Sequence, residues 1–158
     1  TSLEAPYQLP GKSFLPLVDG KGETNPRQSV FATLNKKGSV GLEMRSIITK
    51  EHTYVFNFWA DGAYRYFDGA RWGGMAFKGM EAAAKEDDAA RERLEFFHNR
   101  PREELYDNRK DADALINLRS NPERSGDLRR LRQLMRDTLA ENDDPFQEAY
   151  DRYLRSGQ

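Results

Sequence analysis

The sequence predicts an α+β fold: an antiparallel sheet of about four strands with a C-terminal helix packed across it, plus an inserted helix. Two observations lead to this prediction. Runs rich in β-branched and aromatic residues, alternating between polar and apolar positions, fill the first half of the chain. Residues 127–141 instead carry apolar side chains at the spacing of an amphipathic helix.

The predicted strands are short and are separated by turn residues. Residues 29–34 form the first strand, and residues 43–50 and 53–59 form a hairpin around Glu51 and His52. A further short strand is expected at residues 64–67, and the last at residues 104–107. Because strand side chains alternate between faces, Tyr54, Phe56 and Phe58 are expected to share one face of the sheet.

Three helices are predicted, and one of them interrupts the strands. Residues 69–102 read as an insertion whose Ala-rich, charged segment 80–97 forms a helix. The strongest helical pattern lies at residues 127–141, where Leu128, Leu131, Leu134, Met135 and Leu139 form one apolar stripe. Asp144 and Pro145 end this helix, and residues 146–154 form a shorter one.

The chain of 158 residues fits one domain. Residues 1–28 are rich in Pro and Gly, which disfavours helix, and we interpret them as a linker or tether; the domain itself is assigned to residues 29–158. An apolar patch in the tether, Phe14, Leu15, Leu17 and Val18, packs either on this domain or on a domain upstream of it. The first residues lack the pattern of a signal peptide, so we expect a chain cut from something longer.

Composition excludes several classes of function. The net charge is −1, which argues against a nucleic-acid binder or a membrane-surface binder that works by neutralising phosphates. There is no cysteine, so a disulfide, a thiolate metal site and a cysteine nucleophile are all excluded. No apolar run approaches the ~20 residues that span a bilayer. The compartment in which the protein works is left open.

Several short motifs resemble those of the sulfatases. Leu105-Tyr106-Asp107, Asp111 and Asn117-Leu118 are similar to the closing motif of that family, L-Y-D-L-x-x-D-P-x-E-x-x-N-L. The segment at residues 9–20 resembles the end of the sulfatase catalytic domain. The resemblance to the heparan N-sulfatase (sulfamidase) branch rests on Ser29-Val30-Phe31, Met44-Arg45-Ser46 and Asp144-Pro145. The departures from the closing motif are Asn108, Ala112 and Ala114.

This resemblance implies that the chain is the C-terminal domain of a sulfatase. It would be tethered by residues 1–28 to a catalytic domain and would close one side of the substrate pocket. The parent enzyme would hydrolyse a sulfate ester, or an N-sulfate on a glycosaminoglycan sugar, with calcium and a formylglycine residue. Parents of this kind are often periplasmic, secreted or lysosomal. Arg45, Lys36 and Lys37 are the residues expected near a sulfated sugar, since cations suit that ligand.

No catalytic residue and no metal ligand is expected in this chain, and no cofactor. Ser120-Asn121-Pro122-Glu123-Arg124 has the spacing of the formylglycine motif, but Glu123 stands where Ser or Ala belongs and the metal-binding Asp pairs are missing. Asp107, Asp111 and Asp113 lack the central Gly of a calcium loop and are interpreted as a turn. His52 and His98 are interpreted as structural, because nothing places a Ser beside either.

The alternative is a free-standing module that binds a protein or a glycan. Its binding surface would be the sheet edge or an Arg-rich helix, which includes Arg119, Arg124, Arg129, Arg130, Arg132 and Arg136. The favoured interpretation of these arginines is a solvated helix face, on which they alternate with Asp127, Asp137 and Glu141. The aromatic residues of the hairpin are interpreted mainly as core, with a sugar-stacking platform as the alternative. Trp59 and Trp72, near Gly-rich turns, are the two that could be exposed in that case. Self-association is expected through the apolar patch of the tether.

Overall fold

The computed structural model describes residues 15–20, 27–35, 41–60 and 74–157. Its strands are β1 (Ser29–Leu34), β2 (Met44–Thr49), β3 (His52–Asn57) and β4 (Glu103–Asp107). Its helices are α1 (Leu15–Val18), α2 (Met75–Ala83), α3 (Asp88–His98), α4 (Ser125–Glu141) and α5 (Gln147–Arg155), with a 3-10 turn, Pro122–Arg124, leading into α4. These elements confirm the predicted α+β class. The strand expected at residues 64–67 lies outside the described residues.

The sheet is an antiparallel meander in the order β1-β2-β3-β4. Ile47 pairs with Tyr54, and Tyr54 pairs in turn with Leu105, so three buried side chains form a row across the sheet. Phe31 extends this row onto β1. Although β3 and β4 are neighbours, the chain between them contains α2 and α3, as the predicted insertion requires.

The core lies between one face of this sheet and α4 with α5. Tyr54, Phe56 and Leu105 pack there against the stripe of α4, in which Leu131, Met135 and Leu139 are fully buried. Burying a side chain of this size stabilises the fold by ~1.5–3 kcal/mol. The predicted stripe is confirmed. Leu134 is only partly buried, because it lies at the margin of the stripe.

The insertion differs from the prediction of one continuous helix. It forms α2 and α3, because the Asp87 carboxylate accepts hydrogen bonds from the backbone N–H groups of Ala89 and Ala90 and so starts a new helix. The ring of Phe77 lies 5.8 Å from that of His98, so the two helices fold against each other. His98 is thereby buried in an aromatic setting.

The outer edge of β4 is closed by the residues of the family-like motif. Leu118 donates its backbone N–H to the Leu105 carbonyl at 2.7 Å. The Asn117 side chain accepts from the Leu105 N–H at 3.0 Å and donates to the Glu103 carbonyl at 3.2 Å. We call this arrangement the edge clamp. It satisfies backbone groups that a terminal strand would otherwise leave open.

The acidic turn before the edge clamp uses its carboxylates on its own backbone. Asp107 accepts from the N–H groups of Arg109 and Lys110, and Asp111 accepts from those of Leu115 and Ile116. The Asp107 carboxylate also forms an ion pair with Arg124, in which Nη2 of Arg124 lies 3.1 Å from Oδ2 of Asp107. These hydrogen bonds show that Asp107 and Asp111 stabilise the turn, as the sequence predicts.

Two features differ from the expectations for surface residues. Within a segment predicted to be non-helical, Leu15–Val18 forms one helical turn, and its Leu15, Leu17 and Val18 side chains are exposed. Trp59, which could be exposed as part of a sugar-stacking platform, is buried, because it continues the alternation of β3 on the face of Asn57. Phe14 and Trp72 lie outside the described residues. In the described part of the chain no helix is long and apolar enough to cross a membrane.

Candidate functional site

The most connected polar group of the core is the carboxylate of Glu103, the first residue of β4. It accepts hydrogen bonds from the Tyr54 hydroxyl at 2.6 Å, from Arg132 Nε at 2.8 Å and from the Tyr153 hydroxyl at 3.0 Å. A second Arg132 nitrogen and Arg119 Nε also donate to it. Its partners come from β3, α4, α5 and the residue after the edge clamp, Arg119, so this one carboxylate joins all four.

The electrostatics of this network favour a charged carboxylate. Burial by itself raises the pKa of Glu103, but the hydrogen bonds from Arg132 and Tyr54 outweigh it and the pKa is lowered. The same pairing raises the pKa of Arg132. The pKa of Tyr54 is raised well above its usual value, first by burial and then by Tyr150 and Glu103. At neutral pH Glu103 is therefore an anion bonded to a guanidinium and to neutral phenols.

A pocket of about 430 Å³ opens beside Glu103. The residues that line it come from the end of β3, the start of β4, the edge clamp and α5: Ala60, Pro101, Arg102, Glu103, Asn117, Arg119, Ser120 and Tyr153. Two guanidinium groups and one carboxylate are the charged groups among these residues. Since Arg132, which is not among these lining residues, already pairs with that carboxylate, the described lining presents net positive charge.

Each of the two pocket arginines is held by the fold. Arg102 donates from Nε to the Ala60 carbonyl at 3.0 Å and from Nη1 to the Phe58 carbonyl at 3.2 Å. Arg119 donates its backbone N–H to the Asn117 side chain and its Nε to Glu103 at 3.3 Å. A hydrogen bond with Tyr153 is the main cause of the raised pKa of Arg119. The Arg119 side chain remains 37% exposed.

The next carboxylate, Glu104, lies on the opposite face of β4. It accepts from Asn57 Nδ2 at 2.6 Å, from Arg100 at 3.3 Å and from the Tyr106 hydroxyl. Burial, and then the bond with Glu104, raises the pKa of Tyr106. This second network ties β3 and β4 to the end of the insertion.

Arg45, the first residue expected near a sulfated sugar, is fully engaged inside the domain. It is 2% exposed and donates from Nε to Asp144 Oδ2 at 2.7 Å. It also donates to the carbonyls of Leu34 and Met44, and its guanidinium lies 5.0 Å from the Phe146 ring. These contacts join β2 to the junction of α4 and α5. The role of Arg45 near substrate stays a prediction, and Lys36 and Lys37 lie outside the described residues.

The histidines and the Ser120 motif lie in separate places. His52 is buried at the start of β3, with Nε2 3.6 Å from Asp127 Oδ2, and neither ring nitrogen has a hydrogen-bond partner among the described residues. His98 is the last residue of α3, and its ring packs against that of Phe77 on α2. Ser120 lines the pocket beside Glu103. The described part of the chain contains no group of three His, Cys, Asp or Glu residues able to hold a metal ion.

Sequence reasoning missed Glu103 and Arg102 and treated Arg119 and Arg132 as members of a basic surface. The sequence contains one signal, the two consecutive acids Glu103 and Glu104 beside a predicted strand, and the structure shows that this strand is buried throughout. Buried carboxylates need cationic or hydroxyl partners, and basic residues crowd the segment that follows. The pairing itself depends on the packing of α4 and α5, which the sequence does not specify.

Comparisons with known proteins bear on the fold. No family model matches the sequence, and no curated protein matches it. Two solved structures match 92% of this chain at 18% identity and a TM-score of 0.60. One is a 2-O GAG sulfatase, and the other is a protein from Bacteroides thetaiotaomicron described as a sulfatase. The chain spans 23% of the length of each. Its fold is therefore the fold of a minor part of these sulfatase structures.

Proposed function

We propose that this chain is the C-terminal domain of a sulfatase-like hydrolase of sulfate esters or N-sulfates, closing one side of the substrate pocket without being catalytic alone. The observation that carries the proposal is the fold match, which covers 92% of this chain but only 23% of the solved sulfatase structures. This relation is what a domain of a longer sulfatase-like chain would show, and the rest of that chain would hold the reaction centre.

The motif residues support the proposal, because each has a structural task. Leu105 is fully buried in the core, Asp107 starts the acidic turn, and Asn117 with Leu118 forms the edge clamp. A motif whose residues have structural roles is stronger support for a family resemblance than a motif that matches in sequence alone. Its resemblance to the sulfatase closing motif therefore agrees with the fold match, which was found independently of it.

The division of labour follows from the side chains present. The described residues offer no cluster that could hold the calcium implied by the sulfatase resemblance, so that ion and the formylglycine nucleophile would belong to the catalytic domain. This chain would supply binding groups. The pocket beside Glu103 holds the candidates, Arg102 and Arg119, as donors fixed by the fold.

Complementation tests the proposal. The gene segment upstream of Thr1 would be cloned, expressed as a separate protein and mixed with this chain, and hydrolysis of an aryl sulfate and an N-sulfated disaccharide would be followed with calcium present. Neither protein alone should turn over substrate efficiently, whereas the mixture should. Turnover by this chain alone that is abolished by Ser120→Ala would contradict the proposal.

A free-standing binding module remains the second candidate. Its support is the β1 end of the sheet, where Val30, Leu34 and Ile48 are exposed apolar side chains. The gene again decides between the two. An upstream segment encoding C-x-P-S-R favours the sulfatase domain, whereas a start codon and signal peptide directly before Thr1 favour the module.

A further inference from the structure

We propose that the pocket beside Glu103 binds an oxyanion carried by a sugar, a sulfate or a carboxylate, between Arg102 and Arg119. The inference rests on the proposed function only for the expectation that the ligand is a sugar. The site itself is argued from the charges, donors and shape of the described residues.

The charges of the described pocket residues do not balance. Among the described residues that line the pocket, Glu103 has the one carboxylate, and it is already compensated by Arg132, whose guanidinium donates two hydrogen bonds to it. Arg102 has no carboxylate within ion-pair distance in the described part of the chain; its two hydrogen bonds go to neutral carbonyl groups. The positive charges of Arg102 and Arg119 therefore exceed the negative charge that faces them, and an anion would restore the balance.

The pocket also contains hydrogen-bond donors suited to an oxyanion. A guanidinium group has five N–H donors in a planar fork that matches two oxygens of a carboxylate or a sulfate. Arg119 uses Nε on Glu103, and its side chain is 37% exposed, so its outer edge is accessible from the pocket. The Ser120 hydroxyl lies in the same lining and can donate as well.

Both pocket arginines are held in place by the fold before any ligand binds. Arg119 is anchored at its backbone by Asn117 and at its side chain by Glu103, while Arg102 is anchored by the carbonyls that follow β3. Binding therefore requires little further loss of conformational entropy from these long side chains. For a mobile surface arginine, that loss of entropy weakens binding. A pocket of about 430 Å³ is in the range of small-molecule sites. Pro101 and the ring of Tyr153 provide apolar surface for a sugar ring.

Isothermal titration of the full chain would test the site with three probes. Glucosamine N-sulfate carries the sulfate alone, glucuronic acid carries the carboxylate alone, and glucose carries neither. We expect binding by one or both of the charged sugars and none by glucose, and the stronger of the two charged sugars identifies the oxyanion. Amide resonances of residues 102–103 and 117–120 should shift in the same titration.

Variants separate this pocket from other basic surfaces. Arg119→Gln and Arg102→Gln should each weaken binding by about tenfold or more, the effect of losing a charge-assisted hydrogen bond. Arg130→Gln is the matched control, since Arg130 is an exposed arginine on α4 away from the pocket. Ser120→Trp adds bulk at an exposed position and should block the pocket without altering charge. Circular dichroism would verify that each variant is folded.

The outcomes are distinguishable from those of the proposed function. No binding of either charged sugar, equal affinity in Arg119→Gln and wild type, or resonance shifts centred on Arg130 would each overturn the pocket assignment. If complementation with the catalytic domain nevertheless succeeds, the domain assignment stands without this site. If the pocket binds and complementation fails, the chain is a sugar-binding module and the sulfatase proposal falls.

Discussion

Glu103 and Glu104 are neighbours in sequence, and their carboxylates lie on opposite faces of β4. Strand geometry requires this separation, because successive side chains point to opposite sides of a sheet. Glu103 thereby meets Arg132 from α4, whereas Glu104 meets Asn57 and Arg100. Each charge is buried with its partners, and loss of a partner leaves an uncompensated ion in the core.

Removing the charge of Glu103 should destabilise the domain. Glu103→Gln leaves Arg132 without its anion, and such a change costs about 3 kcal/mol, the lower end for a buried pair because the Arg132 side chain is 24% exposed. The free energy of unfolding in urea measures it. Glu123→Gln, at an exposed residue, should change stability by less than about 0.5 kcal/mol. Equal effects of the two substitutions would contradict the network.

The contribution of Glu103 should also depend on pH. Its pKa in the folded state is lowered, so the stabilisation is complete above the pKa of the unfolded chain, about 4.3, and is lost as pH falls through the folded value. The difference in unfolding free energy between wild type and Glu103→Gln should therefore be constant near neutral pH and should shrink in acid. A difference that grows on acidification would show that the pKa shift has the opposite sign.

Among the elements, α4 supplies most of the cover of the sheet. Leu131 is fully buried, so Leu131→Ala should cost ~2–5 kcal/mol by leaving a cavity. Leu134→Ala should cost less, since that side chain is only partly buried. Arg130→Ala, on the exposed face, is the control and should have a small effect. Urea unfolding measures the free energy of unfolding of the three variants and so ranks their destabilisation. Equal destabilisation by all three would mean that the buried face of α4 is assigned wrongly.

The junction of α4 and α5 is tied to β2 by Arg45 and Asp144. Their side chains are 2% and 7% exposed, so removing either one should cost ~3–5 kcal/mol. A double-mutant cycle with Ala at both positions should give a coupling energy of ~0.5–3 kcal/mol. The same cycle on Arg136 and Asp151, an exposed pair, should give under ~1 kcal/mol. Loss of sugar affinity in Arg45→Ala, with stability unchanged, would instead support the predicted role near substrate.

The elements also show what the sequence could and could not specify. The strands and the α4 stripe were predictable, because alternation and helical spacing are local properties of the chain. The break between α2 and α3 depends on the side chain of Asp87, which caps α3. In the sequence nothing distinguishes Asp87 from the other acidic residues of this charged segment. Arg132 looked like part of a solvated face, and only the packing of α4 against β4 reveals that it pairs with Glu103.

At the scale of the whole molecule, apolar side chains remain exposed in several places of the described chain, among them Met75 and the pair Leu115 and Ile116. Two further groups have three members each. Leu15, Leu17 and Val18 form one on α1, and Val30, Leu34 and Ile48 form another at the β1 end of the sheet. The proposed catalytic domain would cover such surfaces, so we expect the chain to self-associate alone and to become a defined complex with that domain. Light scattering across a concentration series measures this. A monomer at every concentration would contradict it.

The partners of Glu103 are spread along the chain, and this has a consequence for synthesis. Glu103 is synthesised before two of its partners, since Arg132 follows it by 29 residues and Tyr153 by 50 residues. Until then the sheet holds a carboxylate that favours water, so the nascent segment gains little from folding. Any message truncated before Tyr153 should yield a protein that is cleared by proteases, since the missing helices remove both the cover of the sheet and the counterion of its most connected side chain.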